Sequence, residues 1–280
     1  MNPFTEDAEG PASKQERFLE PFPLSKLIDT VDECIHFFSH IPNAPWPGSK
    51  LHYLNEVASV GPLTVHRSLK SSLFRGIQTL RAANGMWFSE TPFKNGNEIG
   101  FRKTPTDMAT LVILMRTVEM ASSRVNWVIL PADTATSKER AKHLMRNECT
   151  SMLEAKKHTT GLQTQSGVAI PIPFEEAVLK AQRGQFRGLE RVSQSKIIKE
   201  AAESFATYLG LAGKHPPVSQ DQTIYMWNLS SVIAHGQGWP VVTDVAEALE
   251  PVLVQWVEVV AQHLQIATLR LQACSTDNSS

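Results

Sequence analysis

The chain has 280 residues, of which 42% are hydrophobic, so its length permits one large domain or two ordinary ones with an ample core. A formal net charge of −1 excludes a surface built throughout for nucleic acid or anionic membrane, although a local patch is compatible with it. The three cysteines, Cys34, Cys149 and Cys274, stand more than a hundred residues apart with no CxxC, which argues against a zinc ribbon or a disulfide framework. The opening MNPFTEDAEGPASKQE has no basic-then-apolar leader pattern, and apolar runs such as ATLVILM are too short to span a bilayer. A cytoplasmic protein without a membrane partner is expected.

In chain order, residues 1–20 are polar and aperiodic and read as a tail. Leu24, Leu27, Ile28, Val31, Ile35 and Phe38 predict an amphipathic helix that stops near Ile41-Pro42, because proline disfavours helix in the residue before it. A loop, NAPWPGS, precedes a short helix through Leu51, Leu54 and Val57. A longer helix follows Pro62, with Leu69, Leu73, Ile77 and Leu80 on one face. Residues 84–103 read as an extended loop. Thr104, Pro105 and Asp107 then suit a helix start, as N-cap, first helical residue and T-x-x-D partner, for a helix over about 105–130. That helix has two apolar faces and is placed centrally. Between the faces runs a polar strip of Arg116, Glu119, Ser123 and Asn126.

Thr136 and Glu139 form a capping-box pattern for a helix to about His158, whose basic face is a candidate for phosphate contact or simple solvation. Further helices are expected from Pro173 to Gly184, through Ile197–Leu209, and from Ser219, which has the S-x-x-Q spacing with Gln222. In this last segment Asn228, Ser231 and His235 fall on one strip at helical spacing, ready to face the strip of the central helix. A final helix starts at Asp244, with Pro251 expected to kink or split it. The reading is therefore all-α: a single helical-bundle domain of about seven or eight helices over residues 21–272, with a second tail at 273–280.

Tyr225, Leu229, Ser230, His235 and Gly236 spell Y-x-x-x-L-S-x-x-x-x-H-G, and Arg116, Glu119 and Ala121 spell R-x-x-E-x-A ahead of Trp127. Over residues 105–270 this pattern resembles uncharacterised bacterial all-helical proteins that are distantly similar to the HEPN superfamily of nucleotide-binding and RNase domains. The resemblance implies a proton-transfer role for His235 and a dimer in which two such motifs meet. The superfamily places an arginine four to six residues before its histidine. Here Asn228, Leu229, Ser230 and Ser231 lie in and around that window, so the cation a phosphorane needs would come from Arg116.

Two readings follow. In the first, the protein is non-catalytic and acts through association as a homo-oligomer, with His235 hydrogen-bonded to Tyr225, Asn228 or Glu119 in a buried polar seam that includes Ser230 and Ser231. In the alternative it is a metal-independent ribonuclease acting on RNA, in a toxin or defence setting, with His235, Arg116 and Glu119 as catalytic residues. No cofactor or metal set is read. His36 and His40 lack a third ligand, and GLAGKH (210–215) lacks the phosphate-loop spacing.

Overall fold

The computed structural model describes residues 24–86, 88–95, 98–105, 108–159, 175–211, 213, 219–234 and 245–276. Nine helices occur among them. They are α1 (Leu24–Ser39), α2 (Lys50–Ala58), α3 (Val65–Met86), α4 (Met108–Ile129), α5 (Thr134–Thr159), α6 (Glu175–Arg183), α7 (Gln194–Leu211), α8 (Gln220–Ala234) and α9 (Val245–Thr276). The fold is all-α, as expected, with nine described helices where seven or eight were anticipated. One continuous buried apolar cluster takes side chains from all nine.

Local chemistry explains most boundaries. In α1, Leu27, Val31 and Cys34 recur at helical spacing and are buried, whereas Ile28 and Ile35 on the outer edge are exposed. Ser49 caps α2, its Oγ accepting the His52 N–H at 3.2 Å. Two lysines satisfy carbonyls at helix ends: Lys70 Nζ donates to Ile41 and Pro42 after α1, and Lys50 Nζ donates to Ile129 and Pro131 after α4. The capping box of α8 forms in full. Ser219 N–H donates to Gln222 Oε1 at 2.7 Å, and Gln222 N–H donates to Ser219 Oγ at 3.2 Å.

Five expectations need correction. Residues 88–95 and 98–105 are not loop but the two strands of an antiparallel pair, β1 (Phe88–Asn95) with β2 (Glu98–Pro105), in the register Phe88↔Pro105 to Asn95↔Glu98. The Asn95-Gly96 step between the strands is a hairpin signal that the loop reading passed over. Thr104 and Pro105 therefore end β2 instead of opening α4, which starts at Met108. In a two-strand ribbon every strand is an edge, so Pro92 and Pro105 are tolerated there. The cap of α5 is Asp133, which accepts the Thr136 N–H at 2.7 Å, and not Thr136 itself. Finally, α9 runs unbroken through Pro251 as a 32-residue helix and continues to Thr276. Packing along α1, α3 and α4 offsets one missing N–H. Ser275, inside the stretch read as tail, is buried, and its carbonyl accepts the Trp46 N–H at 2.8 Å.

The central placement of α4 holds. It packs against α3, α9, α7, α8 and α5. Gly76 of α3 allows a close approach to α4 and α9, since a Cβ there would lie 2.9 Å from both Ala121 Cβ and Leu264 Cδ1. No helix among the described residues is long and apolar enough to cross a membrane.

Candidate anion-binding cleft

The polar strip of α4 does not act as one unit. At about 100° per residue, Glu119 and Asn126 sit roughly 60–80° to one side of Arg116, while Met120 and Arg124 sit roughly 40–80° to the other. Different neighbours therefore meet the two edges.

On the first edge Glu119 is 0% exposed and meets His263 of α9, 3% exposed, with Nδ1 3.3 Å from Oε1. Ser123 Oγ donates to the same carboxylate oxygen at 3.1 Å, and Asn126 Nδ2 donates to the His263 carbonyl at 3.2 Å. Phe205 of α7 closes the group, its ring edge-on to the imidazole at 4.0 Å between centroids. This cluster is sealed. Among the described residues Glu119 is thus partnered by His263 of α9, while its Oε2 is buried without a partner and His235, its expected partner, lies outside the described residues.

On the other edge the surface opens. A cavity of about 170 Å³ is lined by Ser72 and Arg75 of α3, by Arg116, Thr117, Met120 and Arg124 of α4, and by Trp227 of α8. A second cavity of about 540 Å³ adjoins it across Met120, Arg124 and Gln194, and extends between α4, α5 and the chain leading into α7 past Glu148 and Arg191. Asn147 shapes that far wall: its Nδ2 donates to the Val192 carbonyl at 2.8 Å, and its Oδ1 accepts the Val192 N–H at 3.3 Å. Ser193 then caps α7 by accepting the Lys196 N–H.

Four guanidiniums border this cleft and two carboxylates pair with them. Arg124 is ion-paired with Glu148, and Arg191 with Glu154 at 2.8 Å. Arg75 and Arg116 have no carboxylate partner among the described residues. The Arg116 guanidinium carbon lies over the Trp227 ring, 4.2 Å from its centroid, and its Nη2 donates to Ser231 Oγ at 3.5 Å. Its Nε is buried without a partner. Burial lowers the Arg116 guanidinium from its usual range. Arg124 is pulled down to about 10, first by burial and then by the neighbouring Arg75, and so stays charged at neutral pH. A shared cavity with surplus arginine charge and partly desolvated donors is a site that an anion would neutralise.

No protein family, curated protein or solved structure matches this chain. The chemistry of the site has to be read from its own side chains.

Of the residues singled out in the sequence, the structure brings Arg116 and half-buried Ser231 together. Ser230 is buried, but its hydroxyl donates to the Trp227 carbonyl at 2.7 Å within α8. Tyr225 is 48% exposed and Asn228 is also exposed, so neither belongs to a buried seam. The reason is registry: α8 turns Met226, Trp227, Leu229 and Ser230 inward and leaves the opposite edge to solvent. His235 lies outside the described residues. Arg75, Arg124, Arg191 and Trp227 were missed as site residues. Only Arg124 had a readable signal, eight residues beyond Arg116 on the same helix edge. His36 and His40 close the end of α1 on each other, with His40 Nδ1 2.8 Å from the His36 carbonyl oxygen.

Proposed function

We propose that this protein is a non-catalytic helical binder of a phosphate-bearing ligand, held in the cleft between α3, α4, α5 and α8. The observation that supports this most is the grouping of Arg75 and Arg116, which have no carboxylate partner among the described residues, with Arg124 around one cavity. Guanidinium forks match phosphate oxygens two at a time, and the Trp227 ring under Arg116 holds that guanidinium in place before a ligand arrives. Isothermal titration with inorganic phosphate, pyrophosphate and a short RNA tests the reading. Binding should weaken as salt rises and fall by about tenfold or more in Arg116→Ala and in Arg75→Ala. A wild-type chain that binds none of these anions, or variants that bind as well as wild type, would refute it.

A catalytic version has one observation in its favour. Arg116 contacts Ser231, which stands one helical turn before position 235 in the sequence. On this reading His235 transfers the proton and Arg116 stabilises the charge during RNA cleavage. It requires an RNase activity that both His235→Ala and Arg116→Ala abolish without loss of fold. RNA left intact by the purified wild-type protein would end it.

A further inference from the structure

Arg124 is the guanidinium common to both cavities, and it is already occupied. Glu148 of α5 is ion-paired with it, and Ser68 Oγ of α3 donates to the same carboxylate oxygen at 3.4 Å. The two side chains are 23% and 27% exposed, so this pair is neither a sealed core contact nor a free surface one. Glu148 also lines the larger cavity, beside Arg124. An anion drawn in by Arg75 and Arg116 therefore meets a negative charge at Arg124. It either stops short of that arginine or takes it from Glu148.

Resting on the phosphate reading of the cleft, we propose that Glu148 is a built-in competitor that makes the site selective for dianionic phosphate groups over monoanions. The argument is one of charge exchange. A monocarboxylate that replaces Glu148 on Arg124 substitutes one unit charge for another and must leave the displaced carboxylate facing the cavity. A dianion spreads two charges over Arg75, Arg116 and Arg124 together, so the same displacement yields a net electrostatic gain. The half-open setting matters, because a fully buried pair would resist opening and a fully solvated one would exclude nothing. Ser68 offers the released carboxylate a hydroxyl partner on the α3 side.

The test is titration calorimetry of the full chain at fixed ionic strength, with inorganic phosphate as the dianion and acetate as the monoanion. Wild type should bind phosphate and not acetate. Glu148→Gln, which keeps the shape and removes the charge, should bind phosphate about tenfold tighter and should now bind acetate measurably. Glu148→Asp retains the charge with a shorter reach and should fall between the two, which covers the case that Glu148→Gln does not fold. If phosphate binds wild type but neither variant binds it more tightly, the competitor role is overturned while the cleft reading stands. If phosphate binds no form of the protein, the cleft reading itself fails. Phosphate binding seen only in Glu148→Gln would overturn the selectivity role, because the wild-type site must itself accept the dianion.

Discussion

Two groups of polar side chains leave the same helix, α4, only three residues apart at their start, and their surroundings treat them in opposite ways. Glu119, Ser123 and Asn126 meet His263 and Phe205 in a buried contact in which Glu119 Oε1, Ser123 Oγ, Asn126 Nδ2 and His263 Nδ1 are partnered, while Glu119 Oε2 and Asn126 Oδ1 are buried without a partner among the described residues. Arg116 and Arg124 open onto a cavity where positive charge outnumbers negative. A sealed polar group pins helices against one another, because any other register strands a buried charge. An open, unbalanced one leaves unused interaction energy for a ligand. The contrast shows that a polar stripe on a central helix does not define a site until its neighbours are known.

The sharpest way to break the comparison is at the sealed end. His263→Leu leaves the Glu119 carboxylate buried with Ser123 alone and should cost about 3–5 kcal/mol in urea denaturation, as expected for removing one partner of a buried pair. The double replacement Glu119→Met with His263→Leu should recover most of that loss. A single-variant cost below about 1 kcal/mol would show that water reaches the pair.

A second buried histidine sharpens the point. His66 of α3 is 1% exposed, its Nε2 has no hydrogen-bond partner among the described residues, and it lies near Lys70 and Arg67. Burial first, then those two cations, lowers its pKa from 6.5 to about 4. Above 6.5 the imidazole is neutral in both states and imposes no penalty. As the pH falls from 6.5 towards 4 the unfolded chain takes up a proton that the folded one refuses, so stability should drop by about 3 kcal/mol across that window. Thermal melts of His66→Gln should have a flatter acid limb over the same range; an unchanged limb would remove His66 from the account.

The smallest stability effect belongs to the open end. Arg116→Ala gives up the stack on Trp227 and one long hydrogen bond, a loss of about 1 kcal/mol at most. Its melting temperature should stay close to wild type while anion binding collapses. A large drop in the melting temperature would make Arg116 a structural residue like Glu119.

Much of the architecture was legible in advance because it is local. Apolar spacing located α1, α3, α4, α7 and α9, the Ser219–Gln222 capping box opened α8 where expected, and the two apolar faces of α4 marked it as central. Where local rules conflicted, the reading slipped. Thr104-Pro105 suits a helix start and a strand end equally well, and cross-strand pairing with Phe88 decided between them. Of the site, Arg116 was found and its company was not. Glu119 was linked to α8 although its partner, His263, stands 144 residues away on α9.

What the residue order determined by itself is the all-α character, the identity of the central helix and the presence of a charged stripe along it. These follow from periodicity and capping, which act over one or two turns. Only the tertiary structure decided which side of that stripe would be sealed and which would open, because Arg75, Arg191 and Trp227 are brought to Arg116 and Arg124 from outside α4. Periodicity places a side chain on its own helix. The burial and charge balance that give it a role come from the helices packed against it.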